Sequence, residues 1–149
     1  MGINLRGVFL GLKAAVPALR KAGGGAIAVT ASTAGLRGDF GMGLYTASKH
    51  GVVGLVKCAA AEFAPDNIRV NAVAPGAVAT PMVSGRHPDL GRGSPLANMH
   101  PIGRVGQPED IADLVLFLCS DLAGFVTGGI YPIDGGITAV ANPRFRGDG

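Results

Sequence analysis

The feature that most constrains this chain is an alternation of two hydrophobic periods along its 149 residues. Leu5, Val8, Phe9, Leu12, Val16 and Leu19 follow helical spacing and predict an amphipathic helix over residues ~3–21, with Pro17 disturbing it near its end. "KAGGGA" stops that helix, and "AIAVTAS" (26–32) is an apolar run of strand length. Helical spacing returns over residues ~44–63 and is broken by Pro65-Asp66-Asn67. "IRVNAVA" (68–74) reads as a second strand, closed by Pro75-Gly76. "QPEDIADLVLFLCS" opens a third helix, with Pro108 suited to its first position and Glu109 and Asp110 to the positive end of its dipole. "GGIYPIDGG" supplies a third strand. Helix and strand in turn predict one parallel sheet covered by helices. Ligands of such sheets bind at the carboxyl ends of the strands.

Between the second strand and the third helix lies a long irregular segment, residues 81–107, rich in Gly, Pro, Arg and His. A segment of that length inside a compact domain reads as a substrate loop or lid. Residues 141–149, with Arg144 and Arg146, read as a disordered tail. One domain is expected over 1–149, with no linker and no internal repeat.

Composition narrows the function classes. Charged residues make up 15% and the net charge is only +3, with few aromatics, so nucleic-acid binding is not expected. No apolar run approaches the ~18 residues of a membrane span. Cys58 and Cys119 fall in apolar helical patterns and are expected to be buried thiols of a reducing, cytoplasmic compartment. His50, His87 and His100 have no metal-ligand spacing. They are expected at the surface or in loops, with His87 or His100 within reach of a substrate.

The chemistry concentrates in "LYTASKH", where Tyr45 precedes Lys49 by four residues. That is about one helical turn, so both side chains share a face. Tyrosine ordinarily titrates at about 10, and a neighbouring ammonium favours its phenolate. A tyrosine so placed can exchange a proton with an alcohol or carbonyl oxygen. Ser32, at the end of the first strand, is a candidate donor to that oxygen. Such pairs also occur on ordinary exposed helices. Asn4 is equally a favoured helix N-cap, and Thr80 an ordinary cap or turn residue.

Five segments in order resemble the short-chain dehydrogenases/reductases: "INLRGVF", "VTASTAG", "YTASK", "RVNAVAPGAVATPM" and "GRVGQPEDIADLVLFLCSDLAGFVTGGIYPIDGG". The resemblance implies a partial Rossmann-like, doubly wound α/β fold comprising three C-terminal strands with flanking helices. It implies an oxidoreductase moving a hydride between NAD or NADP and a secondary alcohol or ketone. Tyr45 would be general acid/base, and Lys49 would tune Tyr45 and hold the cofactor ribose. Ser32 would hold the substrate oxygen, and Asn4 would place a relay water. Pro75, Gly76, Val78 and Thr80 would border the nicotinamide. It also implies a homodimer or homotetramer paired through the helices near 3–21 and 44–63, where Ala47, Gly51 and Gly54 allow close approach.

One family hallmark is missing from these residues. No strand is followed by a Gly-x-x-x-Gly-x-Gly or Gly-x-Gly-x-x-Gly turn that opens a helix, the arrangement that cradles a dinucleotide pyrophosphate. The resemblance therefore covers the catalytic half, with the first strand expected to be an unpaired edge and the isolated chain marginally stable. Three readings fit: a piece of a complete dehydrogenase, a short non-catalytic protein that associates with full-length relatives, and an enzyme completed by a second chain. The first is the reading taken.

Overall fold

The computed structural model describes residues 1–140, so the tail expected over 141–149 lies outside the described residues. Three parallel strands form one sheet in the order β1-β2-β3: β1 (Gly25–Thr30), β2 (Ile68–Pro75) and β3 (Ile130–Ile133). Five α-helices accompany them: α1 (Gly7–Lys21), α2 (Gly43–Phe63), the short α3 (Pro81–Ser84) and α4 (Pro95–Asn98), and α5 (Pro108–Cys119). A π-helical turn, Gly2–Arg6, leads into α1, and a 3-10 turn, Thr33–Gly35, follows β1.

The core lies where α1 and α2 meet one face of the sheet. Leu12 and Val16 of α1 and Val52, Val56, Ala59 and Ala60 of α2 pack with Val29, Ile68, Val70, Ala72 and Ala74. β2 runs through the centre and is buried from Asn71 to Ala74 without interruption. A strand covered on both faces needs such a continuous apolar run. The polar exception is Asn71, and its amide is satisfied. It donates to the Val126 carbonyl at 2.8 Å and accepts from the Gly129 N–H at 3.0 Å. Arg69 ties the connection after α5 to β2 by donating to the carbonyls of Leu118 (2.8 Å) and Ser120 (2.9 Å). Among the described residues β1 pairs only with β2, as expected of an edge.

Four expectations change or sharpen. The helix does not yield at Pro17, and α1 continues to Lys21. Pro17 and Lys13 both face solvent, so water can take the carbonyl that proline leaves without a donor. Cys58 and Cys119 are exposed rather than buried, each on the outward side of its helix. His100 lies in the loop, one of its two expected places, but is buried there, being 3% exposed. The stretch Gly2–Lys21, 20 residues, is long and apolar enough by length and composition to cross a membrane. Arg6, Lys13 and Arg20 interrupt it in sequence, which is why counting uninterrupted runs passes over it, and Leu12 and Val16 serve the core of this fold.

Candidate active site at the carboxyl ends of the strands

The backbone after β1 is extended at Ser32 and then tightens into the 3-10 turn. The Ser32 hydroxyl oxygen caps that turn, accepting from the Ala34 N–H at 3.2 Å. Its own O–H proton stays available to donate outward. The turn seats directly on α2. A side chain at Gly35 would place its first carbon 2.8 Å from the Lys49 carbonyl, so only glycine permits this approach. The serine turn and the α2 turn carrying Lys49 are therefore in direct contact.

Tyr45 and Lys49 stand on one face of α2 as their spacing requires, with the Lys49 Nζ 5.8 Å from the centre of the Tyr45 ring. Lys49 reaches back to the end of β1 and donates to the Thr30 carbonyl at 3.0 Å. Burial lowers its pKa from the ordinary lysine value, because desolvation penalises the ammonium. An ammonium has three donors, and this bond uses one. Asn4, inside the π-helical turn, is not an N-cap. Its side-chain amide donates to the Ser48 Oγ at 3.3 Å, and Ser48 donates to the Tyr45 carbonyl at 2.6 Å. Ser48 is 1% exposed. Asn4 thus braces the helical turn that presents Tyr45.

Pro75 closes β2, and the turn beyond it is fixed on several sides. Gly76 donates to the Ile133 carbonyl at 3.2 Å, and the Ala77 N–H donates to His100 Nε2 at 3.1 Å. Val78 bridges Gly106, and the Ala79 N–H donates to the Gly106 carbonyl at 2.8 Å. The Thr80 hydroxyl donates to the Val78 carbonyl at 3.4 Å, and Thr80 precedes α3 with Pro81 at its first position. Pro75, Gly76, Val78 and Thr80 therefore line one turn at the carboxyl end of the central strand. At the carboxyl end of its neighbour, Ser32 opens the turn that seats on the Lys49 backbone, and Tyr45 lies one helical turn before Lys49.

Beside that turn lies a cleft of about 250 Å³ bordered by Ala77, His100, Arg104, Asp110, Ile133 and Asp134. Arg104 grips Asp110 with two bonds, 2.6 and 2.9 Å, and these hold the Asp110 carboxyl down to about 2, helped by the Gln107 N–H. Burial alone would raise the Asp134 carboxyl. Bonds from the Thr138 hydroxyl and the N–H groups of Gly136 and Thr138 outweigh it and keep Asp134 below its ordinary value. Sequence reasoning passed over Ser48, Asp134 and the role of His100. Their partners are mainly backbone atoms or residues distant in sequence, and spacing carries no sign of either.

The residues present fit one half of a nicotinamide dinucleotide. Lys49 has ammonium donors to spare for ribose hydroxyls, beside a turn of strand-end backbone. Among the described residues no strand is followed by a turn with Gly-x-x-x-Gly-x-Gly or Gly-x-Gly-x-x-Gly spacing that opens a helix.

Known proteins agree with this architecture. The enoyl-(acyl carrier protein) reductase family model matches residues 1–138. Cyclohexanol dehydrogenase of Acinetobacter sp. (strain SE19) is 47% identical over 137 residues, 92% of this chain and 53% of that protein. The structure of carveol dehydrogenase from Mycobacterium avium in complex with NAD superposes with a TM-score of 0.84 at 39% identity, covering 93% of this chain and 55% of that one. ElxO with NADP bound matches with a TM-score of 0.84 at 34% identity, over 92% of this chain and 56% of that one. The chain spans about half the length of the curated relatives it matches. With a family model spanning nearly all of its described residues and close structural counterparts throughout, the chain belongs to the short-chain dehydrogenase/reductase family.

Proposed function

We propose that this chain forms the catalytic half of a nicotinamide-dependent oxidoreductase that interconverts a small secondary alcohol and its ketone. The observation that supports the reading is Lys49, one helical turn after Tyr45, bonded to the Thr30 carbonyl at the end of β1, two residues before Ser32. A nicotinamide dinucleotide, when bound, supplies the hydride donor or acceptor. Lys49 holds its ribose, and the turn of Pro75, Gly76, Val78 and Thr80 borders its nicotinamide. Ser32 donates to the substrate oxygen and fixes its position. Tyr45 takes the hydroxyl proton during oxidation and returns it during reduction. Lys49 lies beside Tyr45 on the same helix face, its ammonium 5.8 Å from the ring centre. Asn4 orders the water through which Lys49 exchanges that proton with solvent.

An alicyclic alcohol suits the surroundings. Leu36, Phe40, Met42 and Leu44, in the segment just before Tyr45 in sequence, expose apolar side chains. Two proteins similar to this chain are named for cyclohexanol and carveol. The same reading has the protein pair with a second copy through α1 and α2. An apolar groove bordered by Phe9, Leu12, Leu55 and Phe63 lies between those helices.

The test is turnover. Protein purified from its source is incubated with cyclohexanol and either NAD or NADP. Appearance of the reduced dinucleotide is expected. Its absence across a panel of small secondary alcohols, in both directions of the reaction, would overturn the reading.

A further inference from the structure

We propose that His100 is a positioning residue, a latch that fastens the loop of residues 81–107 to the turn bordering the nicotinamide. This inference rests on the function proposed above. His100 is 3% exposed and lies among polar partners rather than in the apolar core. Its two ring nitrogens engage two different segments. Nδ1 meets the Leu96 carbonyl at 2.9 Å, at the start of α4 within the loop. Nε2 accepts from the Ala77 N–H at 3.1 Å, in the turn after β2. A backbone N–H can only donate, so Nε2 carries no proton. Nδ1 then carries it and donates to Leu96. The imidazole thus joins an acceptor in one segment to a donor in the other.

The fit around the ring is close. A side chain at Gly76 would bring its first carbon 2.9 Å from His100 Nε2 and 3.1 Å from the Asp134 Cα. At Gly135, where φ is +59°, an added carbon would fall 3.3 Å from the His100 Cβ and 2.6 Å from a methyl of Ile102. The loop, the β2 turn and the end of β3 therefore interlock at this one side chain. A loop that covers substrate and a turn that meets the nicotinamide would, with His100 between them, shift together.

The geometry makes a specific demand: position 100 must supply a hydrogen-bond acceptor at the depth of Nε2. His100→Leu keeps the bulk and removes the acceptor. His100→Gln can present a side-chain oxygen at a similar depth. Amide hydrogen exchange of the ligand-free protein is compared among the three, alongside NADH and NADPH affinity by fluorescence titration. In His100→Leu, Ala77 is expected to exchange about tenfold faster than in the unaltered protein while Val70 and Ala72 of β2 are unchanged, and dinucleotide affinity falls by a similar factor. His100→Gln restores both toward the unaltered values. Unchanged exchange at Ala77 overturns the latch, as does acceleration spread equally over Ala77, Val70 and Ala72 in both variants. Selective acceleration at Ala77 with undiminished dinucleotide affinity overturns the positioning role. If the unaltered protein binds neither dinucleotide yet Ala77 responds selectively, the proposed function falls and the latch stands.

Discussion

β1 and β2 are parallel neighbours of similar apolar character, yet they occupy different physical situations. β2 has a hydrogen-bonded strand on each side and is buried along most of its length. β1 has one strand partner among the described residues and is only half-buried over much of its span. The division matters for chemistry. The turn assigned to the nicotinamide leaves the central strand, where two ladders and His100 hold it. The groups assigned to proton transfer leave the edge strand, where their placement depends on α2 lying across it. Lys49 donating to the Thr30 carbonyl and Gly35 seating on the Lys49 carbonyl are the ties that fix α2 against the edge strand. On the proposed function, the central strand would position one reactant, and the helix lying across the edge would position the groups that act on the other.

The sharpest way to separate the two halves is Tyr45→Phe. It removes the proton-transferring oxygen and leaves β2 and its turn untouched. Turnover of the holoenzyme should fall by about 10²–10⁴ while dinucleotide affinity stays within a factor of about two. Steady-state kinetics with a parallel binding titration checks this. A matched fall in both would mean that the two strand ends do not act separately.

Stability gives the next contrast, with the same residue type on each strand. Ile68 in β2 is 1% exposed, whereas Ile27 in β1 is half-buried. Ile68→Ala should cost about 3–4 kcal/mol and Ile27→Ala about 1–2 kcal/mol in urea unfolding. Equal costs would show that β1 is covered as thoroughly as β2 in the working protein.

A smaller effect concerns Lys49. Burial lowers its folded pKa, so between that value and the ordinary lysine value of 10.5 the unfolded chain binds more protons than the folded one. Stability contributed at this position therefore rises with pH across that window. Lys49→Met should flatten the alkaline part of a urea-midpoint profile, and an unchanged slope would contradict the desolvation. The smallest expected effect lies at the solvent-facing pair of Arg104 and Asp110. The Asp110 carboxyl is held at about 2 by Arg104, below its ordinary 3.8. Its contribution is complete above 3.8 and lost as pH falls through about 2. Asp110→Asn should remove a slight part of the acid-side slope, read from urea midpoints across that interval.

The order of helices and strands was legible because period and punctuation agreed at nearly every boundary. "IRVNAVA" ends at a Pro-Gly turn, and Pro108 opens α5 with Asp110 accepting from the Gln107 N–H at 2.7 Å. Tyr45 and Lys49 were legible as one face because helix geometry alone brings them together. Cys58 was misjudged for a physical reason. α2 is apolar around much of its circumference, with Leu55 only half-buried and Ala61 exposed, so periodicity could not say which side faces the sheet. His100 was missed because its partners are a carbonyl and an N–H, and every residue type supplies those. Asn4 matched a family position, but the sequence held no sign that its amide would reach Ser48, 44 residues away.

The most direct test of the central claim follows the hydrogen itself. Cyclohexanol carrying deuterium on its carbinol carbon is oxidised by the protein as its source makes it, and the reduced dinucleotide is recovered for mass spectrometry. The account predicts that the deuterium is found on the nicotinamide ring, with the hydroxyl proton leaving through Tyr45 to solvent. Deuterium recovered in water, with none on the dinucleotide, would contradict it.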